Sequence, residues 1–281
     1  MTVPSRDGGD EPERGPAAAV NEQEVEDTLQ RTVEEGKRRL TRGWAPLLAT
    51  GLVGGIDVGT GVLALLVVEA ETGNTLLAGL AFSIGFIALT MARSELFTED
   101  FLVPVGTVIA RQAPLRSLLR LWAGTAGANL VGGWVFTLLI VTGFPEVKQP
   151  AVEAGAYYVD LGIGWRSFAL ALLGGAVITL MTWMQHATES LGTKLVPAVT
   201  TGFLLAGLRL NHAIVASLII FAGLHTHASP YGYADWATTA GWAALGNMVG
   251  GIALVTLLRI LQVPAKVREH VRNPAPEVEN A

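Results

Sequence analysis

The sequence predicts an all-α membrane protein whose six transmembrane helices form two inverted three-helix repeats, and three observations support this prediction. Of the 281 residues, 51% are hydrophobic, only 15% are charged and 33 are glycine. This composition is too apolar for an ordinary soluble domain of that length. Six long apolar stretches follow one another, and two parts of the chain resemble each other at a nearly constant offset.

The two ends of the chain differ in composition from its centre. Residues 1–20 contain too little apolar surface to fold and are predicted to form a disordered tail. Residues 21–43 place apolar side chains near helical spacing among charges, which indicates an amphipathic cytoplasmic helix, either on the membrane surface or against a neighbouring helix. A transmembrane domain at 44–263 and a cytoplasmic tail at 264–281 complete the predicted organisation.

Six apolar stretches approach or exceed the length of about 20 residues that a helix needs to cross a bilayer. They lie at 45–68, 76–110, 118–142, 167–185, 195–224 and 238–262. Most Lys and Arg residues precede the first stretch, follow the second or follow the sixth. By the positive-inside rule these segments are cytoplasmic, so both termini of this multi-pass protein of a prokaryotic inner membrane are predicted to face the cytoplasm.

Internal similarity indicates a duplicated architecture. GANLVGG at 127–133 is echoed by LGNMVGG at 245–251, and LVGGI at 52–56 by LLGGA at 172–176, at offsets of 118 and 120. Two halves of three spans each insert with opposite orientation, which places a substrate path at their interface. Chance matching of glycine-rich segments is the alternative. The small residues and the repeated Asn also suit close helix packing with hydrogen bonds between helices.

The second stretch is interrupted by the polar run RSELFTED at 93–100. Its flanks, 76–92 and 101–110, are each predicted to be too short to span the bilayer comfortably. Non-helical backbone at membrane depth is tolerated where protein or a water-filled path surrounds it, so this run is predicted to be a loop between two half-helices. A complete helix followed by a surface loop and a short interfacial segment is the alternative.

The fifth stretch is interrupted in a comparable way by the residues RLNH at 209–212. Thr98 and His212 are 114 positions apart, close to the repeat offset, so the two interruptions should face each other. Ionisable residues are costly within a membrane and commonly mark a pathway. A structural histidine with satisfied hydrogen bonds is the other interpretation.

Together, these features resemble the formate/nitrite transporter family. Its acidic-Leu-Phe-Thr motif is matched by Glu95, Leu96, Phe97 and Thr98, and the paired NxVGG motifs and the His of a broken fifth span also agree. The resemblance extends from about residue 40 to residue 263. It implies a homopentamer in which each protomer has its own aquaporin-like pore.

The resemblance also implies roles for individual residues. Thr98 would hydrogen-bond His212, the central histidine that contacts the anion or lends it a proton. Leu96 and Phe97 would form part of a hydrophobic constriction. Phe82 and Phe86 would line the narrow path, with Leu205 opposite. Lys194 matches the family's basic residue at the start of the fifth span. Ordinary packing between helices is the alternative role of the apolar residues.

The sequence departs from the family pattern around the histidine. It reads LRLNH, in which Asn211 replaces a polar neighbour and Arg209 is unexpected. Arg209 either attracts anions or forms a buried ion pair with Glu95 or Glu99, and we predict the ion pair.

The predicted function is passage of a small monovalent anion such as formate or nitrite, linked to protons. No enzymatic activity, cofactor or nucleic-acid partner is expected, and lipid is the expected surrounding. The alternatives are a pore for another small or neutral solute and a non-conducting scaffold or regulator. A membrane enzyme or metal protein using His186 with Glu189, or His225 with His227, is a further rival.

Overall fold

The computed structural model describes residues 31–262, which are helical with short connections. The predicted tails at 1–20 and 264–281 lie outside the described residues, as do residues 21–30 of the predicted amphipathic helix. The described helices are α1 (31–41), α2 (Trp44–Thr72), α3 (Thr75–Ala92), α4 (Val103–Ile109), α5 (Leu115–Gly143), α6 (Lys148–Asp160), α7 (Trp165–His186), α8 (Leu191–Gly207), α9 (Ala213–His225), α10 (Tyr233–Val249) and α11 (Leu258–Gln262), with 3-10 turns at Phe97–Phe101 and Pro145–Val147 and a π-helical stretch at Gly250–Leu257.

The helices form six spans, of which the second (α3 and α4) and the fifth (α8 and α9) are broken. We call the interruption of the second span the first break and that of the fifth span the second break. By length and apolarity, five segments within 31–262 suffice to cross a membrane: α2, α3, α5, α7 and Tyr233–Gln262. The fifth span instead consists of two shorter apolar helices. Helix α3 has 18 residues, which corresponds to about 27 Å at 1.5 Å per residue. The prediction that both flanks of the first break are too short to cross is therefore wrong for α3.

Local signals explain where the broken spans begin. Gly73 adopts a left-handed conformation (φ 60°) that ends α2 and lets the chain reverse into α3. The Asn74 side chain accepts hydrogen bonds from the backbone N–H groups of Leu76 and Leu77 and so caps α3. Ser190 caps α8 in the same manner by accepting from the backbone N–H of Thr193.

Glycine at equivalent positions brings the helices of each half close together. A Cβ atom at Gly55 of α2 would lie 2.1 Å from the carbonyl oxygen of Asn129, and one at Gly175 of α7 would lie 2.1 Å from that of Asn247. No larger residue fits either crossing without moving a helix. The predicted internal repeat is thus confirmed in the packing of α2 on α5 and of α7 on α10.

Helix α1 packs against the spans. Val33 and Leu40 are buried, and Leu40 forms a cluster with Val105 of α4 and with Leu118 and Leu121 of α5. We call this side of the protein the α1 side. The opposite side, where α2 ends and α6 joins the two halves, is the α6 side.

Candidate functional site

The two breaks share one backbone plan. Arg93 follows α3 with φ 54°, and Arg209 lies just beyond α8 with φ 50°. Both are left-handed, a conformation that costs a non-glycine residue about 1 kcal/mol or more. The chain is then extended at Leu96, before the 3-10 turn, and at His212, before α9. Two different sequences therefore produce equivalent breaks.

A buried asparagine holds the break of the second span. The Asn129 side chain on α5 donates to the carbonyl oxygens of Gly51 (2.7 Å) and Glu95 (2.8 Å). It also accepts from the backbone N–H of Phe97 at 2.9 Å. Since unpaired backbone groups are costly at this depth, Asn129 stabilises the loop by replacing its missing helical hydrogen bonds.

Asn247 does the same for the break of the fifth span. Its side chain on α10 donates to the carbonyl oxygens of Ala171 (2.8 Å) and Asn211 (3.0 Å) and accepts from the backbone N–H of Ala213 (2.8 Å). The two NxVGG asparagines are therefore equivalent supports of the two breaks.

The breaks meet at Thr98 and His212, whose Oγ1 and Nε2 atoms lie 2.7 Å apart and which are both fully buried. The Nδ1 atom of His212 accepts a hydrogen bond from the backbone N–H of Val215 at 3.2 Å and caps α9. A ring nitrogen that accepts carries no proton, so the neutral ring has its proton on Nε2 and donates it to Thr98. The Thr98 hydroxyl can then donate its own hydrogen to another acceptor.

An apolar layer lies between α3 and α8. Phe82 and Phe86 of α3 are fully buried, with ring centroids 5.6 Å apart in an edge-to-face arrangement, and Leu205 of α8 is fully buried as well. The two helices approach closely, since Ser83 donates to the carbonyl oxygen of Val199 at 2.9 Å. The three predicted apolar path residues thus lie on the two first half-helices.

The predicted constriction residues of the SELFT motif have different surroundings. Leu96 is fully buried at the start of the 3-10 turn. The Phe97 ring packs edge to face on Phe101 at 5.1 Å and on Trp122 of α5 at 6.3 Å. Phe97 therefore belongs to an aromatic cluster that braces the break against α5.

Buried charges surround the break of the second span. Glu95 lies 2.9 Å from Arg42 and 3.5 Å from Arg39, and Asp100 lies 3.4 Å from Arg39. Glu99 accepts a hydrogen bond from the backbone N–H of Leu96. The cations come from α1 and from the residue after its end, so the N-terminal helix neutralises part of the charge that this break carries.

The predicted ion pair between Arg209 and Glu95 or Glu99 is wrong. Arg209 lies 3.6 Å from Glu69, donates to Thr75 at 3.3 Å and places its guanidinium over the Tyr157 ring at 5.1 Å. The two breaks insert from opposite directions, so Arg209 reaches the α6 side whereas the carboxylates of the first break reach the α1 side. Sequence reasoning missed Arg39, Arg42 and Glu69, because nothing local marks them as partners.

The other two predicted polar residues lie apart from each other: Asn211 is within the break of the fifth span, and Lys194 is near the start of α8. Asn211 is buried and donates weakly to the Ser167 carbonyl oxygen at 3.4 Å, while its Oδ1 atom has no hydrogen-bond partner among the described residues. Lys194 belongs to α8 and lines a cavity on the α1 side.

Each side of the protein has a cavity that leads toward the breaks. The α1-side cavity, ≈ 430 Å³, is lined by five basic side chains, namely Lys194, Arg93 and three arginines of α1, and by the three carboxylates of Glu35, Glu99 and Glu189. The α6-side cavity, ≈ 410 Å³, is lined by three carboxylates and one cation, Arg209. Among the described lining residues, basic groups therefore outnumber carboxylates in the first cavity, and carboxylates outnumber basic groups in the second.

The histidines proposed for a rival metal site have other surroundings. His225 Nε2 lies 3.1 Å from the carbonyl oxygen of Trp134, and the two rings are in contact. Within residues 31–262, no group of three or more His, Cys, Asp or Glu side chains is arranged to hold a metal ion.

Comparison with known proteins gives a consistent result. The family model described as formate/nitrite transporter matches residues 26–261. The chain is 27% identical over 252 residues to the inner membrane protein YfdC of Escherichia coli (strain K12), covering 85% of this chain and 78% of that protein. It is 23% identical over 239 residues to the formate channel BtFdhC of Bacillus thuringiensis, covering 79% and 89%.

A solved structure described as a pentameric formate channel with formate bound superposes with a TM-score of 0.64. The identity is 20%, and the match covers 78% of this chain and 96% of that chain. This likeness supports the fold of six spans with two breaks.

Proposed function

This chain belongs to the formate/nitrite transporter family, and we propose that it passes small monovalent anions such as formate or nitrite across the inner membrane. The observation that carries the proposal is the buried hydrogen bond between Thr98 and His212, which joins the two breaks. An anion that has lost its hydration shell is stabilised by hydrogen-bond donors, and this pair offers such donors in a buried position between the two cavities.

The proposed path follows from the order of the residues. An anion from the α1 side meets the basic lining of the first cavity, which raises its local concentration. It then reaches the Thr98 hydroxyl, which is free to donate because His212 donates to its oxygen. Phe82, Phe86 and Leu205 form the apolar layer that a hydrated ion does not cross.

We propose that transport is linked to a proton. An anion in the apolar layer loses hydration worth many kcal/mol, whereas the neutral acid loses far less. A charged His212 would have to give up the hydrogen bond that it accepts from Val215, so the positive form of the ring is transient. The ring becomes neutral again when one of its two protons passes to the anion, and the cap of α9 is restored when the proton that stays is on Nε2.

The assembly and orientation are part of the same proposal. We infer a homopentamer with one pore in each protomer, as in the pentameric formate channel of similar fold. The excess of Lys and Arg near α1 and after the second and sixth spans supports a cytoplasmic location of both termini. The α1 side is then cytoplasmic and the α6 side is external.

Flux through proteoliposomes tests the proposal. Uptake of labelled formate and of nitrite should be saturable, should rise as the external pH falls, and should drop at least tenfold in Thr98→Ala and His212→Phe. Thr142→Ala and His227→Asn change exposed residues of the same types and should leave the flux within twofold of the wild type.

Three outcomes count against the proposal. Unchanged pH dependence in His212→Phe would exclude the central pair from the proton step. Glycerol-driven swelling without anion flux would support a pore for neutral solutes. A folded wild-type protein that passes neither anion would support a non-conducting role.

A further inference from the structure

Arg209 has an environment that differs from that of a fully buried ion pair. Its side chain is 34% exposed, and that of its partner Glu69 is 20% exposed. The nearest charged atoms are 3.6 Å apart, and the Nη2 atom is the donor in the contact with Thr75. A guanidinium has five N–H donors in a planar fork, so this arrangement leaves most of its donors to face other acceptors.

The position of Arg209 links two cavities. Together with Glu69 and Ala154 it lines both the ≈ 410 Å³ cavity of the α6 side and a narrow cavity of ≈ 20 Å³ beneath it. The narrow cavity continues between Ala78 of α3 and Ala206 of α8, the helices that carry the apolar layer. Arg209 and Glu69 therefore lie at the point where the open cavity narrows toward the centre.

The charges around this position are mostly negative. Glu146 and Glu153 line the open cavity together with Glu69, so three carboxylates face one described cation. Such a lining lowers the local concentration of every anion. Among the described residues that line this cavity, only Arg209 offers an entering anion a positive charge, and there the anion must replace the carboxylate of Glu69.

The Arg209 guanidinium is oriented before any anion arrives. It is held over the Tyr157 ring, and Thr75 donates to Glu69 at 3.1 Å while accepting from Arg209. The left-handed backbone at the end of α8 directs the side chain to this cluster. A planar fork held in this way matches the two oxygens of a carboxylate or of nitrite, whereas a single-atom anion cannot form two parallel hydrogen bonds.

We propose that Arg209 is the docking site on the α6 side for planar two-oxygen monoanions, and that the carboxylate of Glu69 occupies this site until such an anion displaces it. The proposal rests on the proposed function for its physiological meaning. It adds a substrate class, carboxylates and nitrite in preference to halides, and it makes Glu69 a built-in competitor.

The proposal is tested by saturation-transfer NMR on the formate proton with the full-length protein in detergent. This method detects formate binding whether or not the protein conducts the ion. Measurements in a Thr98→Ala background reduce the contribution of the central pair. Arg209→Lys should raise the half-saturating formate concentration about tenfold, the typical effect of losing one charge-assisted hydrogen bond. Glu69→Gln should lower it at least threefold, and nitrite should displace formate far better than chloride does.

The controls separate docking from a structural ion pair. Arg166→Lys makes the same change at an exposed arginine of the same side and should leave formate binding unchanged. Weaker formate binding in Glu69→Gln, equal displacement by chloride and nitrite, or wild-type binding in Arg209→Lys would each overturn the proposal. Formate binding at Arg209 in a protein that passes no anion would refute the proposed function and leave the docking site standing.

Discussion

The break of the second span and the break of the fifth span use the same backbone geometry around different side chains. Each has a left-handed arginine, an extended residue before the next helix and an asparagine that makes three buried hydrogen bonds. The first break carries three buried carboxylates, whereas the second carries Asn211 and His212. The two repeats therefore share the backbone path of the break, whereas the side chains that differ between them determine the charge on each side of the protein.

Two helices outside the repeat account for this difference. Helix α1 and the residue after it supply Arg39 and Arg42 to the carboxylates of the first break. Helix α6 packs on α9 and supplies Tyr157 to Arg209 of the second break. Each break thus contacts a helix that has no counterpart in the other half. The charges on the two sides of the protein can therefore differ although the backbone of the two breaks is alike.

The largest expected effect comes from removing the cation that α1 contributes. Arg39→Gln leaves Asp100 without its ion-pair partner and Glu95 with Arg42 alone. Breaking a buried ion pair by removing one partner costs about 3–5 kcal/mol. We expect a large loss of thermal stability, measured as the temperature at which the detergent-solubilised protein loses its folded, monodisperse form.

Arg38→Gln is the matched control. It removes the same charge from the same helix, but at a side chain that is 72% exposed. It should change stability by less than about 1 kcal/mol. Equal effects of the two substitutions would show that the link between α1 and the first break contributes little.

The second prediction tests the equivalence of the two breaks. Asn129→Ala and Asn247→Ala each remove three buried hydrogen bonds to the backbone. At roughly 1 kcal/mol each, the loss is about 3 kcal/mol in both variants. The same thermal assay should give nearly equal changes. Asn74→Ala, which removes an exposed helix cap, should cost only about 1 kcal/mol.

A large effect at one asparagine and a small effect at the other would break the comparison. It would mean that one break is held chiefly by other contacts, such as the ion pairs of α1. The double substitution Arg39→Gln with Asn129→Ala would then show coupling, whereas Arg39→Gln with Asn247→Ala would be additive.

The smallest expected effect concerns Glu35 of α1. Burial is the largest single effect and raises the pKa of Glu35, but the nearby Arg39 guanidinium, and after it Arg38 and His186, together lower the pKa more, so that it lies below its ordinary value of 4.5. A lowered pKa in the folded state stabilises the protein above the unfolded-state pKa, and this contribution is lost as the pH falls through the folded-state value.

Glu35→Gln should therefore lower the unfolding temperature slightly at pH 7. The difference from the wild type should shrink as the pH falls below about 4.5. A difference that grows on acidification would show that Glu35 acts through packing and not through its charge.

Much of the candidate site is visible in the sequence because its parts are marked locally or by repetition. The interruptions stand out as polar runs within apolar stretches, and the offset between the halves pairs Thr98 with His212, which lie in hydrogen-bond contact in the structure. The repeated NxVGG motif likewise identified the two asparagines. The predicted flank 76–92 matches α3 (Thr75–Ala92) to within one residue, so the limits of the helix were right and only its capacity to cross the membrane was misjudged.

The sequence by itself determined the six spans, the two breaks and the residues that join them, since hydrophobic runs and internal repeats are properties of the chain. Only the tertiary structure decided which charges meet. Arg39 pairs with Asp100 across 61 positions and Arg209 contacts Thr75 across 134. Such partners depend on the side to which each break opens and on where α1 and α6 pack. Neither is recorded in local composition, because ion pairing is set by distance in space and not by spacing along the chain.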